Sequence, residues 1–360
     1  LFQVLWGHKL PLVVGPAAVL LVGVLSSLGA KADTNAIYSS IAIGGVLVTL
    51  LSIGGLMRYL QHIFTPRIIV VILMLIAFTL TPTIANALVF SGASNDERIF
   101  GLIFAIVGVV AMVVLNRTLK GVAKSLVIPI ALIVGSIAYF ICFDTPTYTG
   151  SSASLEGLLI EEFTFDWGLV VAFVICYIAL VINDIGSMES LGAMLGIKDM
   201  DRRTKRGMRL TGVMNIVSGA MGVLGPVNYS MSPGVIASTG CASRYALIPA
   251  TVVLALCGLF PDVIWVLTAI PSPVIGVILL FLMGTQLAAS FEMLQSTQSA
   301  RTFADGLTLG LPLMVAMLFQ LMPQGIVPTV IEPLVRNGFA MGVITVIVME
   351  HVINRNKAKQ

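Results

Sequence analysis

Asn183, Asp184, Ser187, Glu189 and Ser190 crowd into Ile182-Asn183-Asp184-Ile185-Gly186-Ser187-Met188-Glu189-Ser190, a short interruption of an otherwise apolar run. Ionisable groups at bilayer depth cost at least about 2.5–3.5 kcal/mol each on insertion scales, so they persist where a partner or a polar cavity receives them. On a helix Asn183, Ser187 and Ser190 stand at i, i+4 and i+7 and share one face, a stripe suited to lining a pocket. Asn183 supplies an acceptor and two donors, the complement of a cyclic imide or amide edge, and Ser187 adds a reversible donor or acceptor one turn on. Asp184 flanks the stripe and is the best-placed carboxylate for coupling to H+ or Na+. Glu189 lies nearer the end of the span on another face. It is a second coupling candidate, although pairing with the basic stretch that follows is its plainer role.

Two further stretches could complete such a pocket. Val13-Val14-Gly15-Pro16-Ala17-Ala18-Val19-Leu20 and Asn228-Tyr229-Ser230-Met231-Ser232-Pro233-Gly234-Val235-Ile236 each carry a proline where a helix would begin. Proline suits the first turn, because its missing N–H would be unsatisfied there anyway. Each stretch therefore reads as extended backbone turning into a half-helix, the first at Pro16 and the second at Pro233. Irregular backbone in a membrane is tolerated only where protein or a water-filled cavity supplies the hydrogen bonds that lipid cannot, so two such breaks in corresponding halves point to a solute site. The half-helix at Pro233 would offer unpaired N–H groups to a carbonyl oxygen or an anion. Tyr229, Ser230, Met231 and Ser232 flank it, and Gly234 allows close backbone approach. Met231 on its own packs better than it binds.

These breaks must be held by membrane spans. The chain is 58% hydrophobic and 10% charged, against roughly 25% charged for an average soluble domain, and its mean hydropathy is +1.02. Helices are predicted at 11–28, 36–57, 66–89, 98–116, 121–142, 167–195, 207–224, 233–242, 245–269, 273–294, 304–321 and 333–353. The stretch Lys198–Arg209 carries six basic residues, and Phe143–Asp166 carries five acidic residues and no basic one. The positive-inside bias puts the first in the cytoplasm and the second outside. Carried along the spans, that alternation also puts Arg58, Arg67, Arg117, Lys120, Lys124, Arg301 and the Arg355-Lys357-Lys359 tail inside. The net charge of +3 thus speaks of orientation and not of nucleic-acid binding.

Little else invites chemistry. No nucleophile–base pair, metal-ligand spacing or phosphate loop stands out, so the expectation is a non-enzyme without cofactor or metal. Cys142, Cys176, Cys241 and Cys257 lie singly in apolar surroundings and read as packing residues. His8, His62 and His351 stand beside basic residues near helix ends and read as interfacial. The opening Leu1-Phe2-Gln3-Val4-Leu5-Trp6 reads as the tail of a helix, which suggests upstream segments.

An internal repeat is also visible. Thr65-Pro66-Arg67-Ile68-Ile69-Val70-Val71-Ile72-Leu73-Met74 resembles Ser272-Pro273-Val274-Ile275-Gly276-Val277-Ile278-Leu279-Leu280, and the two breaks precede these copies by comparable distances. The copies enter the membrane from opposite sides, the pattern of an inverted-topology repeat.

These features together resemble the nucleobase/ascorbate transporters, which include uracil and xanthine permeases. The family's signature after its second strand matches at Gly234, Thr239, Gly240, Ser243 and Arg244. Asn183-Asp184-Ile185-Gly186 aligns with its Glu-x-Ile-Gly stretch, Pro271-Ser272-Pro273-Val274-Ile275-Gly276-Val277 resembles the start of its twelfth helix, and Lys9-Leu10-Pro11 with Gly15 its lead-in to the third. The family's Gln-His motif belongs to a first segment absent here, so Gln61-His62 is not its counterpart. The resemblance implies an all-α polytopic membrane protein with an inverted 7+7 segment repeat and two broken helices preceded by short β-strands. It implies a core domain from residues 1–60 and 151–270, a gate domain from 61–150 and 271–360, elevator-like movement and a homodimer.

The expected function is a secondary transporter of the cell (inner) membrane for a nucleobase such as xanthine, urate or uracil, coupled to H+ or Na+. Asn183, Ser187, Tyr229, Ser230, Met231, Ser232, Gly234 and Ala18 are the expected solute contacts, Asp184 and Glu189 the coupling candidates, and Thr239-Gly240 the motif pair. Asn183 and Met231 stand where the family places carboxylates, and Ser187 where uracil permeases carry a histidine. An anion or ascorbate carrier on the same fold is the alternative within transport, and a non-transporting membrane paralogue the alternative outside it.

Overall fold

A computed structural model describes the chain except residues 30–31, 54–62, 91–93, 144–159, 161, 259, 324, 329–330 and 355–360. Among the described residues six helices are long and apolar enough to cross a membrane: Thr34–Ile53, Pro66–Phe90, Asn95–Thr118, Trp167–Met194, Ser272–Thr297 and Phe303–Gln320. Shorter apolar helices follow at Val127–Cys142 and Gly338–Ile353, and a pair over Ser232–Thr239 and Arg244–Cys257 is bent by 103°. The protein is a multi-pass membrane protein.

In chain order the elements used below are α1 (Phe2–Leu5), β1 (Val14–Pro16), α2 (Ala18–Gly29), α3 (Thr34–Ile53), α4 (Pro66–Thr79), α5 (Asn95–Thr118), α6 (Val127–Cys142), α7 (Trp167–Met194), α8 (Met200–Ala220), β2 (Pro226–Asn228), α9 (Ser232–Thr239), α10 (Leu247–Cys257), α11 (Pro261–Thr268), α12 (Ser272–Thr297), α13 (Phe303–Gln320) and α14 (Gly338–Val348). Side chains close several helix starts. Ser94, Asp166 and Asn337 each accept an N–H from the first turn of α5, α7 and α14, and Thr302 forms a capping box with Asp305 at α13.

Several helix boundaries differ from the sequence expectation: the helix expected over 11–28 starts at Ala18, after β1, because Val14–Pro16 pairs as a strand, and the one expected from 121 is a 3-10 turn as far as Leu126. The basic stretch expected as a loop is helical from Met200, because Asp199 pairs with Arg203 at 2.7 Å across the first turn and Asp201 favours the positive end of the dipole. The single span expected over 245–269 is two helices, α10 and α11, with Pro261 at the start of the second. The last span begins at Gly338, beyond Pro333. Most of the acidic segment 143–166, together with Arg58, His62 and the basic C-terminal tail, lies outside the described residues.

The chain divides into two compact units. The first comprises Leu1–Thr79, Leu155–Ser232 and Ser290–Gln360. In it α3 crosses α8 at backbone contact, since a Cβ on Gly45 would lie 2.6 Å from the Ile216 nitrogen and one on Gly219 2.5 Å from the Ala42 nitrogen. Small residues that admit such approach are the usual means by which membrane helices associate, as lipid removes the hydrophobic drive. At another edge of this unit Arg67 ties α4 to the start of α13 and to the π-helical turn Met349–Ile353 that continues α14, reaching Asp305 at 3.0 Å, Glu350 at 2.8 Å and the Ser299 carbonyl at 2.9 Å. The second unit comprises Leu80–Ser154 and Pro233–Ala289. Its α5 and α6 enclose an aromatic cluster of Phe100, Phe104, Tyr139 and Phe143, with neighbouring centroids 4.9–5.8 Å apart.

Candidate functional site

The two interrupted stretches meet. β1 and β2 pair antiparallel, with Val14 opposite Asn228, Gly15 opposite Val227 and Pro16 opposite Pro226. The zipper extends beyond the strands: Tyr229 N–H donates to the Val13 carbonyl at 2.7 Å, and Ala17 N–H donates to the Gly225 carbonyl at 2.9 Å. Val13 N–H donates to Ser232 Oγ at 3.0 Å, while that hydroxyl donates to the Tyr229 carbonyl at 2.7 Å. Both proline-bearing breaks thus satisfy their main-chain groups on each other, as backbone at membrane depth requires. Gly15 has no room for a side chain, because a Cβ there would run into the Tyr229 ring.

A buried network fastens this ribbon to α7 and α8. Asp184 and Asn228 are fully buried. Asn228 donates its main-chain N–H and its Nδ2 to Asp184 Oδ1 at 2.8 and 2.7 Å, and Thr211 donates to Oδ2 at 2.9 Å. Gln3 Nε2 lies 3.0 Å from both Thr211 Oγ1 and the Gly207 carbonyl. Leu10 N–H donates to His8 Nδ1 at 2.9 Å, which leaves Nε2 carrying the hydrogen it gives to Asn228 Oδ1 at 3.0 Å. Three donors converge on one carboxylate, an arrangement that suits an anion and fixes its position. A second network lies beside it. Asn215 Nδ2 donates to the Pro226 carbonyl at 2.9 Å, and the Tyr177 hydroxyl lies 2.8 Å from Asn215 Oδ1 and 2.9 Å from the Ile41 carbonyl.

His8 is therefore not interfacial. It is fully buried and ties the segment before β1 to β2. Its neighbour Lys9 has φ +59, and Arg203 clamps that turn by donating to the His8 and Lys9 carbonyls at 3.2 and 3.1 Å. His351 does stand at a helix end, 2.8 Å from the Ile63 carbonyl. Of the cysteines Cys176 is buried, whereas Cys142 and Cys241 lie exposed on the chain's surface and do not pack inside it.

The expected site residues occupy distinct settings. Asn183 is half-buried, and among the described residues its carboxamide has no hydrogen-bond partner. Ser230 is likewise half-buried, with a hydroxyl that has none. Tyr229 and Met231 are half-buried, and the Tyr229 hydroxyl lies at 3.4 Å from the Pro16 carbonyl. Ser187 and Ser190 are fully buried, their hydroxyls donating to the Asn183 and Ser187 carbonyls at 2.7 and 3.2 Å. Glu189 accepts from Thr204 at 2.7 Å. Ala18 opens α2 directly after β1. In the second unit Gly234 faces α12, where a Cβ would lie 2.7 Å from the Leu282 carbonyl, and its own carbonyl accepts from Thr285 at 3.0 Å. Gly240, at φ +70, ends α9 with its N–H on the Ile236 carbonyl, the usual left-handed close of a helix. Thr239 donates to the Val235 carbonyl at 2.7 Å. Among the described residues no group of three His, Cys, Asp or Glu side chains could hold a metal ion.

Asn228, Thr211, Asn215, His8, Gln3 and Tyr177 organise this site without having been singled out for it. Thr211 and Asn215 did leave a trace, as two polar residues at i and i+4 on one helix face.

Broken spans zipped strand to strand within a multi-pass helical membrane protein define a transport-type fold. The chain belongs to the permease family Xan_ur_permease, whose family model matches residues 1–325. Among its relatives are the xanthine permease of Bacillus subtilis, 25% identical with 99% of this chain and 82% of that protein covered, and the uric acid permease PucJ of the same organism, 24% identical with 81% and 66% covered. Among solved structures, the transmembrane domain of a cyanobacterial bicarbonate transporter, BicA, superposes with a TM-score of 0.50 at 17% identity, covering 88% of this chain and 84% of that one. That likeness is one of fold.

Proposed function

We propose that this chain is a nucleobase permease, with an oxidised purine of the xanthine or urate type as its solute. The observation that carries the reading is the β1–β2 zipper, seated through Asp184 and Asn228 on the helix that presents Asn183. Asn183 and Ser230 are half-buried polar groups that no described residue satisfies, and a purine edge with alternating carbonyl and N–H groups would satisfy them. Tyr229, next to Ser230 in the chain and half-buried, offers a ring. The names of the relatives support the same class of solute.

In this reading Asp184 acts through Asn228 and Thr211 as the anchor of the site, and the solute meets Asn183. Ser187 and Ser190 hold the helix from behind, since their hydroxyls are spent on main-chain carbonyls. Coupling to H+ or Na+, elevator-like movement and dimerisation are carried over from the family resemblance. Counterflow in proteoliposomes tests the proposal. Loaded xanthine or urate should accelerate entry of its labelled form, and Asn183→Ala should remove that exchange. No exchange of any base, with exchange of bicarbonate or another anion, would overturn it.

A further inference from the structure

The second unit contains an apolar groove that the transport site does not use. It has a volume of about 240 Å³ and runs between α5, α6 and α12. Small side chains keep it open: Gly108 and Ala111 on α5, and Ala131 and Ala138 on α6, over a floor that includes Val277. A Cβ on Gly108 would lie 2.8 Å from Val277 Cγ1, so the floor is in close contact.

The two ends differ. One is closed by Phe104, stacked on Phe100 at 5.4 Å, with Tyr139 and Phe143 behind. The other, marked by Leu115 and Ile130, leads to the turn between α5 and α6, which carries Lys120 and Lys124. Lys124 belongs to the 3-10 turn Gly121–Leu126 that feeds α6. It stands three residues before Val127, which stands four before the groove residue Ala131, hence on the groove side of that helix. Lys124 is half-buried and Lys120 exposed, and among the described residues neither has a carboxylate partner.

Length and charge together select an occupant. From Phe104 to Leu115 the groove follows 11 residues of helix, about 16 Å. The hydrocarbon core is about 30 Å thick, so this is the depth of a single leaflet. A face that ends in two unpaired ammonium groups at that depth matches one acyl chain whose headgroup is anionic, because basic sites at the membrane surface attract acidic lipid and not zwitterionic lipid. We propose that the α5–α6–α12 groove is a binding site for an anionic phospholipid, with an acyl chain along Gly108, Ala111 and Ala131 and its phosphate held by Lys120 and Lys124.

Native mass spectrometry of the detergent-solubilised protein tests this with phosphatidylglycerol and phosphatidylcholine of identical chains. Phosphatidylglycerol should be retained preferentially. Removing both charges in Lys120→Gln/Lys124→Gln should weaken that retention about thirtyfold, roughly fivefold for each lysine. Lys124→Arg should preserve it, and Ala111→Trp, which fills the groove from an exposed position, should abolish it without touching a charge. Glycerol phosphate alone should not compete, since it lacks the chain. Equal retention of the two lipids, or indifference to both the lysine pair and Ala111→Trp, would overturn the proposal. So would a homodimer that Ala111→Trp splits while lipid retention stays unchanged, because the groove would then belong to a second copy of the chain.

Discussion

Asn228 gives Asp184 two hydrogens, one from its main chain at 2.8 Å and one from its side chain at 2.7 Å, both to the same carboxylate oxygen. One buried carboxylate thereby sets the last residue of β2 against the middle of α7, and everything that follows in the chain, from Tyr229 to Ser232, inherits its place from that pair. Asp184→Asn keeps the volume but sets an amide NH2, a donor, against donors that already face it. The expected loss is about 1–3 kcal/mol of stability, read as a lower thermal midpoint in detergent, together with lost exchange of solute. An unshifted midpoint would show that Asn228 finds another acceptor.

Asn183 should behave in the opposite way. Its carboxamide satisfies no described group, so Asn183→Ala is expected to leave the midpoint of the ligand-free protein nearly unchanged. A bound solute stabilises the folded state in proportion to the logarithm of its concentration over Kd. Xanthine or urate should therefore raise the wild-type midpoint and leave that of Asn183→Ala where it was. Equal shifts in both proteins would take Asn183 out of the site.

Gly15 and Tyr229 form a size-matched pair across the zipper. Gly15→Ala pushes a methyl group into the Tyr229 ring and should cost about 1–3 kcal/mol, as overpacking does. Adding Tyr229→Ala should make the double variant more stable than the sum of the two single changes. Thermal unfolding of the four proteins measures this coupling. Strict additivity would mean that the ring simply swings away.

Tyr177 gives a second mechanical test. Its hydroxyl lies between the Asn215 side chain and the Ile41 carbonyl, and its ring lies against Gly44, where any Cβ would overlap it. Tyr177→Phe leaves the buried Asn215 oxygen without that partner, for an expected loss of about 1–3 kcal/mol. Because Asn215 also holds the Pro226 carbonyl, amide exchange near β2 should speed up as well. Unchanged protection there would confine the effect to α7.

Asp33 makes a pH prediction. The hydrogen bond from Thr164 at 2.9 Å, with further N–H groups at the start of α3, holds its carboxyl below the usual carboxylate range. A folded-state pKa below the unfolded one stabilises the protein above the unfolded value of about 4, and this contribution disappears as pH falls through the folded value. Thr164→Val should thus lower the midpoint at pH 6 and make no difference once the pH is low enough to protonate Asp33 in both proteins. A difference that persists in acid would assign the effect to packing.

The spans, both breaks and the polar patch on α7 were legible in the sequence because each has a local cause. Runs of about 20 apolar residues, a proline at a helix start and polar residues spaced at i, i+4 and i+7 are properties of neighbours along the chain. The sequence also carried the family resemblance, since Gly234, Thr239 and Gly240 keep their order and spacing. Some local choices went unread, such as the helix from Met200 through the basic stretch, where a charge pair outweighs the look of a loop.

Only the tertiary structure decided which polar residues are free and which are consumed. Asp184 and Asn183 are adjacent in the chain, yet one is enclosed by donors from Asn228 and Thr211 and the other is left open. Ser187 looked available on its helix face and is buried on it. His8 looked interfacial and is enclosed 220 residues from the partner it holds. Periodicity states which way a side chain points, but hydrogen bonds between distant segments are chosen by packing. In a membrane, where no water stands in for a missing partner, that choice separates a residue that builds the site from one that serves it.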